Sequence, residues 1–248
     1  AVYVLVARRS PEGGREHQMP TSVYAVTAGA MSLLIAFTLS LTFVQYTDAK
    51  TAAATDADAT MAMSRAAMLM PPTVRDQLRN QLACYAEEVI AVDWPALRSG
   101  DNQLQPPVEK TLATIDGIVV ANRNDIGPVL SSWMEASKDR TYAHVQLMQV
   151  AGNDVPPILW MLLIVGSLIT IGSLVVYADR SKPAWGHVLV IVGPLFVASA
   201  ALVVIAFFDK PFTDTPGAVT PSAMERTLVR LTQDRIPGVP LAKCPHPV

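Results

Sequence analysis

The chain has 248 residues, 51% of them hydrophobic and only 16% charged, and its mean hydropathy is +0.32. Soluble domains carry about 25% charged residues, so this composition excludes an ordinary soluble enzyme. The net charge of −2, from 19 basic and 21 acidic residues, provides no basic face for nucleic acid. Two cysteines with no Cys/His cluster support neither a disulfide-rich scaffold nor zinc. The expectation is an all-α integral membrane protein.

The first seven residues, AVYVLVA, cannot span a bilayer and lack the basic region a signal peptide places before its apolar core. Residues 1–7 read as the end of a truncated first span, or as a short interfacial segment. A loop over 8–20 carries Arg8, Arg9 and Arg15. Three complete spans are predicted over 21–46, 155–178 and 183–208, each near the ~20 apolar residues a hydrocarbon core requires. Trp160, Tyr177 and Trp185 sit near span ends, where amphipathic rings anchor at headgroups. The turn 179–182 carries Arg180 and Lys182. Basic residues in short loops mark the cytoplasmic side. The loop 8–20 and the turn are therefore cytoplasmic, and the domain 47–154 and the tail 209–248 face outward.

The middle domain is acidic, with nine Lys/Arg against fourteen Asp/Glu between Tyr46 and Asp154. Thr51 to Met70 holds neither Gly nor Pro and continues the first span as one long helix. Pro71-Pro72 stops it. A helix over 73–92 follows, with an apolar stripe of Leu78, Leu82, Tyr85, Val89 and Val92, ended by Trp94-Pro95. Helices over 107–122 and 126–150 complete a bundle stacked on the spans. In the Pro-rich tail, 222–233 reads as a short amphipathic helix with Met224, Leu228 and Leu231 on one face.

From the helix around Tyr85 the sequence resembles the bacterial bestrophin-like family of membrane proteins, a domain of unknown function. The resemblance rests on order: a charge-free helix running into an Ala-rich one, a proline break, then Tyr85, Val89-Ile90 and Asp93-Trp94-Pro95. Two late spans and an Asp-x-Pro-Phe element, Asp209, Pro211 and Phe212, complete it. It covers roughly 24–221. Bestrophins themselves are pentameric anion channels with paired spans flanking a cytosolic helical domain, and an Asn-Pro-Phe element followed by an acidic calcium clasp. Here only Asp214 is acidic after Phe212, which does not support a clasp, and the charge bias puts the domain outside.

Several constellations keep two readings. Ala28, Ser32, Ala36 and Ser40 form a small-residue stripe, either a helix–helix seam within or between chains or a pore lining with Phe37 or Phe43 as its constriction. Gly166, Thr170, Gly172 and Ser173 suggest close packing of the second span. No Asp, Glu, Lys or Arg lies inside a span, which disfavours a proton-coupled transporter. His187 is a ligand or pore-mouth candidate, or an interfacial histidine. Met61, Met63, Met68 and Met70 are thioethers that suit Cu(I), or core filler. Cys84 and Cys244 form a bridge or remain separate thiols. Asp56, Asp58, Glu87 and Glu88 read as solvated helix faces.

No nucleophile–base pair or phosphate loop is present, so no enzyme, cofactor or metal is expected. Two functions remain for a protein of the bacterial cytoplasmic (inner) membrane whose partners are the lipid bilayer and other subunits or copies of itself. The first is an accessory or scaffold subunit of a larger respiratory or photosynthetic complex. The second is a homo-oligomeric bestrophin-like anion channel.

Overall fold

The computed structural model describes residues 21–177, 184–233 and Cys244, with side chains at 25–173, 191–233 and 244. The segment 1–7, the loop 8–20, the turn 179–182 and the His187 side chain lie outside the described residues. Every described element is helical. Helix α1, Thr21–Ala67, is an unbroken rod of 47 residues, about 70 Å long. After Gly29 it holds neither Gly nor Pro, so nothing in its sequence interrupts the i→i−4 ladder. Helix α2, Pro72–Glu88, starts with proline in its first turn, where a missing N–H costs nothing.

The helix expected over 73–92 and ended by Trp94-Pro95 runs differently. Val89–Asp93 is π-helical, the Trp94 N–H reaching back to the Val89 carbonyl, and the chain continues directly into α3, Trp94–Arg98. Proline is tolerated here because it falls in the first turn after the widened ladder, so no α-helical bond is lost. Helices α4, Pro106–Ala121, and the single turn α5, Arg123–Ile126, follow. The long helix expected from Ile126 instead begins at Val129, as α6, Val129–Ala151. Gly127-Pro128 separates it from α5, Gly127 taking φ +59°, a value glycine adopts without penalty.

Helices α7, Pro157–Tyr177, and α8, Ala184–Asp209, are apolar. By length and composition α1 from Ala25 and α8 from Ile191 are long enough to cross a membrane, while the fully described part of α7, Pro157–Ser173, is shorter. Helix α9, Ser222–Gln233, ends the described helices.

The extramembrane core lies between α1, α2, α4, α6 and α9. Tyr85, Leu78, Leu82, Val108, Ile115 and Trp133 are almost fully buried in it, joined by Met224 and Leu231 from α9. A second cluster near the membrane end gathers Ala49, Ala52, Ala53, Trp94, Leu147, Ala151 and Phe212. Buried alanines on α1 let α6 lie close along it, because interaxial distance follows side-chain size. Of the paired methionines, Met63 and Met70 are core, Met61 is half-buried and Met68 exposed. Within α1, Met61 and Met63 thus diverge as helical geometry requires, while Met68 and Met70 lie in the turn beyond it.

In the apolar half, Phe43 meets Phe208 edge-on at 5.3 Å and Tyr46 lies 5.2 Å from Phe208. The Tyr46 hydroxyl donates to the Gly217 carbonyl at 2.6 Å. Gly166 gives room to Met31, whose sulfur would sit 2.6 Å from a Cβ there. The Thr170 and Ser173 hydroxyls donate to carbonyls of their own helix, Gly166 and Ile169, and a Cβ on Gly172 would meet nothing within 4 Å.

Candidate functional site

From Thr38 to Ala67 helix α1 has two unlike faces. One carries Thr38, Thr42, Ala49, Ala52, Asp56, Thr60, Met63 and Ala67, all buried against the rest of the chain. The threonine hydroxyls on it are spent on their own helix, Thr38 donating to Leu34 and Thr42 to Thr38. The opposite face carries Ser32, Ala36 and Ser40, exposed, with Ala28 half-exposed at its upper end. The same face continues through Thr51, Ala54, Asp58 and Arg65 beyond the apolar segment, also exposed. The small-residue stripe is thus not covered by the rest of the described chain. Phe37 and Phe43 flank it, 60% and 49% exposed.

Behind that face the buried side of α1 holds a closed polar cluster. The Tyr85 hydroxyl donates to Asp56 Oδ1 at 2.9 Å. His144 Nδ1 stands 3.2 Å from Asp56 Oδ2, and its Nε2 3.1 Å from Asp93 Oδ2. The Arg140 guanidinium lies over the Tyr85 ring, 5.1 Å from the centroid, a cation–π contact. Asp56, Asp93, His144, Arg140 and Tyr85 are all buried, as is Glu88 at the end of α2. Burial pushes the His144 pKa down, but hydrogen bonds and charge from Asp56 and Asp93 outweigh it and raise the value to about 9. The ring is an imidazolium at neutral pH, Nδ1 donating to Asp56 and Nε2 within ion-pair distance of Asp93. Burial, then the Asp56 charge, hold the Tyr85 phenol well above its ordinary pKa despite Arg140. The cleft beside the cluster, lined by Asp56, Val89, Trp94 and Met224, has no volume open to a water-sized molecule. The cluster therefore ties α1, α2, the π-helical stretch and α6 together and offers no room for a substrate.

The remaining motif positions meet where this domain joins the apolar helices. Asp209, at the end of α8, accepts from the Val155 N–H at 2.7 Å and faces the Trp160 indole N–H at 3.4 Å. It thereby satisfies a backbone donor just ahead of α7. Phe212 stands edge-on to Trp94 at 5.6 Å, and the Pro211 carbonyl accepts from Val219 N–H at 2.8 Å. Pro95 lies in the first turn of α3. Asp214 pairs with Arg98 at 2.8 Å. Cys84 and Cys244 form a disulfide that fastens the tail to α2.

A model of the bestrophin-like domain matches residues 1–224. The chain belongs to the bestrophin-like family. The fold agrees. A bacterial bestrophin homologue from Klebsiella pneumoniae with a Tyr-to-Ala substitution superposes with a TM-score of 0.66 at 13% identity, covering 86% of this chain and 88% of that one. A membrane protein with a Gly-to-Ala substitution gives 0.66 at 11% identity, covering 87% and 88%. A further Klebsiella pneumoniae bestrophin homologue gives 0.56 at 15%, covering 87% and 88%. No curated protein matches the chain.

In this bestrophin-like chain the motif positions fall in three places: Tyr85 and Asp93 in the buried cluster, joined through His144, Trp94 against Phe212, and Asp209 at the start of α7. The Ser32/Ala36/Ser40 stripe stands apart, on the uncovered side. His144 and Arg140 escaped sequence reasoning, and Asp56 and Glu88 were expected on solvated faces but are buried. A signal for Asp56 was present. It stands seven residues from both Ala49 and Met63, on the face those residues bury. The expectation held for Asp58, which is exposed.

Proposed function

We propose that this bestrophin-like protein is the subunit of a homo-oligomeric, multi-pass ion channel of the bacterial cytoplasmic membrane, passing anions. In this reading the spans are α1 up to Tyr46, α7 and α8. The observation that carries the reading is the uncovered face of α1, where Ser32, Ala36 and Ser40 stand between exposed apolar side chains such as Leu33 and Phe37, and which continues into a polar face beyond the apolar half. A helix with one side packed on its own chain and a line of exposed residues from Ser32 to Arg65 on the other suits a ring in which the exposed side meets copies of itself or an axial path. Hydroxyls at Ser32 and Ser40 supply polar contacts to an ion without a fixed charge in the membrane. Family and fold comparisons support this reading and lend nothing to the accessory-subunit one.

Replacing Ser32 and Ser40 together by Leu tests it. The particle extracted in mild detergent should keep the mass of a multimer of this chain alone, while its conductance in planar bilayers falls at least tenfold. Loss of assembly would make the stripe a seam. A wild-type particle that is monomeric and silent would overturn the channel.

The large domain and tail belong outside the cytoplasm in this reading. Two observations support that orientation: the Arg/Lys content of the short loops, and the Cys84–Cys244 bridge, a bond that persists in oxidising compartments. A cysteine placed at exposed Asp116 on α4, with Cys84 and Cys244 replaced by Ser, should react with a membrane-impermeant maleimide on intact cells. Labelling only after lysis would place the domain inside.

A further inference from the structure

Helix α9 lies beside α1 with Met224, Thr227 and Leu231 turned inward, Thr227 donating to the Ala57 carbonyl at 3.3 Å. Its next residues on the outer side are Arg226 and Arg230, one turn apart and both exposed. They line a groove of about 190 Å³ with Ala54, Asp58 and Thr227. Neither arginine has an ion-pair partner among the described residues. Asp58 shares the groove, so two guanidinium groups face one carboxylate and the local charge is positive. Arginine forks present several N–H donors in a plane, which suits halides and oxyanions, while Asp58 is the one carboxylate lining the groove.

The position of the groove gives it meaning. Ala54 and Asp58 stand about five turns beyond Ala36 and Ser40, on the same uncovered face of α1 and about 27 Å further along. The groove therefore opens onto the line of the stripe, clear of the apolar segment.

We propose that Arg226 and Arg230 form a binding site for small inorganic anions at the outer mouth of the path along α1. This deepens the channel reading and rests on it for the word mouth. The binding itself does not depend on conduction. In a ring, arginine pairs from every copy would surround one axis, and like charges in a confined vestibule raise the local concentration of counter-ions.

The test is the chloride resonance linewidth measured over the detergent-extracted full chain. Wild type should broaden the line in excess of detergent alone, and phosphate or nitrate should compete the excess away. Arg226→Gln with Arg230→Gln should remove most of it, leaving particle mass and melting temperature unchanged because α9 packs through other residues. Asp58→Asn should increase it. In bilayers the double variant should lose several-fold in chloride over sodium permeability. Broadening equal to wild type in the double variant overturns the site, as does a fall in particle mass, which would make the arginines a contact between copies. Chloride binding lost in the variant beside a wild-type particle that never conducts upholds the site and sinks the channel. Conduction with unaltered broadening and selectivity does the reverse.

Discussion

Replacing His144 by Ala is expected to destabilise the extramembrane domain by on the order of 3–5 kcal/mol, the usual cost of removing one partner from a buried ion pair. The imidazolium holds Asp56 from one nitrogen and Asp93 from the other. Without it two buried carboxylates face each other with only Arg140 to compensate, and that guanidinium is already committed to the Tyr85 ring. His144→Gln keeps some hydrogen bonding but no charge and should fall between. The pH dependence has a definite sign. The folded pKa of about 9 exceeds the ordinary value near 6.5. The stabilisation is therefore fully present below about pH 6.5 and fades as pH rises through 9. The full effect is on the order of 3 kcal/mol. Thermal unfolding of the detergent-extracted protein should show a melting temperature that declines between pH 7 and 10. The Gln variant should lack that decline. A wild-type melt flat across this range would show that the ring is neutral in the folded protein.

The second large effect is expected from the Cys84–Cys244 bridge. It closes a loop of 160 residues, and long loops lose much unfolded-chain entropy when closed, so removing such a bond costs roughly 2–5 kcal/mol. Cys84 is itself in the wall of the core, 1% exposed. Cys84→Ser with Cys244→Ser, or reduction of the intact protein, should lower the melting temperature and loosen α9, whose Met224 and Leu231 complete the core. Hydrogen exchange of the α9 amides reads the loosening directly. Unchanged protection in α9 after reduction would mean that Met224 and Leu231 alone hold the helix.

Much of the architecture was legible because its signals are local. The run of Gly- and Pro-free residues from Ala30 marks one long helix, and the three-and-four spacing through Leu78, Leu82 and Tyr85 marks a buried stripe. What escaped depends on the third dimension. A π-helical turn has no sequence signature as firm as proline, so Trp94-Pro95 read as a stop when the chain passes straight through it. His144 lies far from both Asp56 and Asp93 in sequence, and only packing of α6 on α1 brings the three together. Asp56 looked solvated because an acid on an Ala-rich helix normally is. Its burial depends on an imidazolium that no local pattern announces. The stripe was visible as a stripe, but that its side chains stay uncovered is a statement about every other helix.

The unbroken rod of α1 also has a mechanical meaning. With neither Gly nor Pro from Met31 to Ala67 and no hinge to absorb bending, its apolar and polar halves must turn as one body. The polar cluster clamps the far half to α2 and α6, so whatever moves those helices moves the stripe as well. A tilt of about 5° about one end carries the other through roughly 6 Å over the ~70 Å length. The two halves are in effect the arms of one lever, the extramembrane domain clamped to one and Ser32, Ala36 and Ser40 carried on the other.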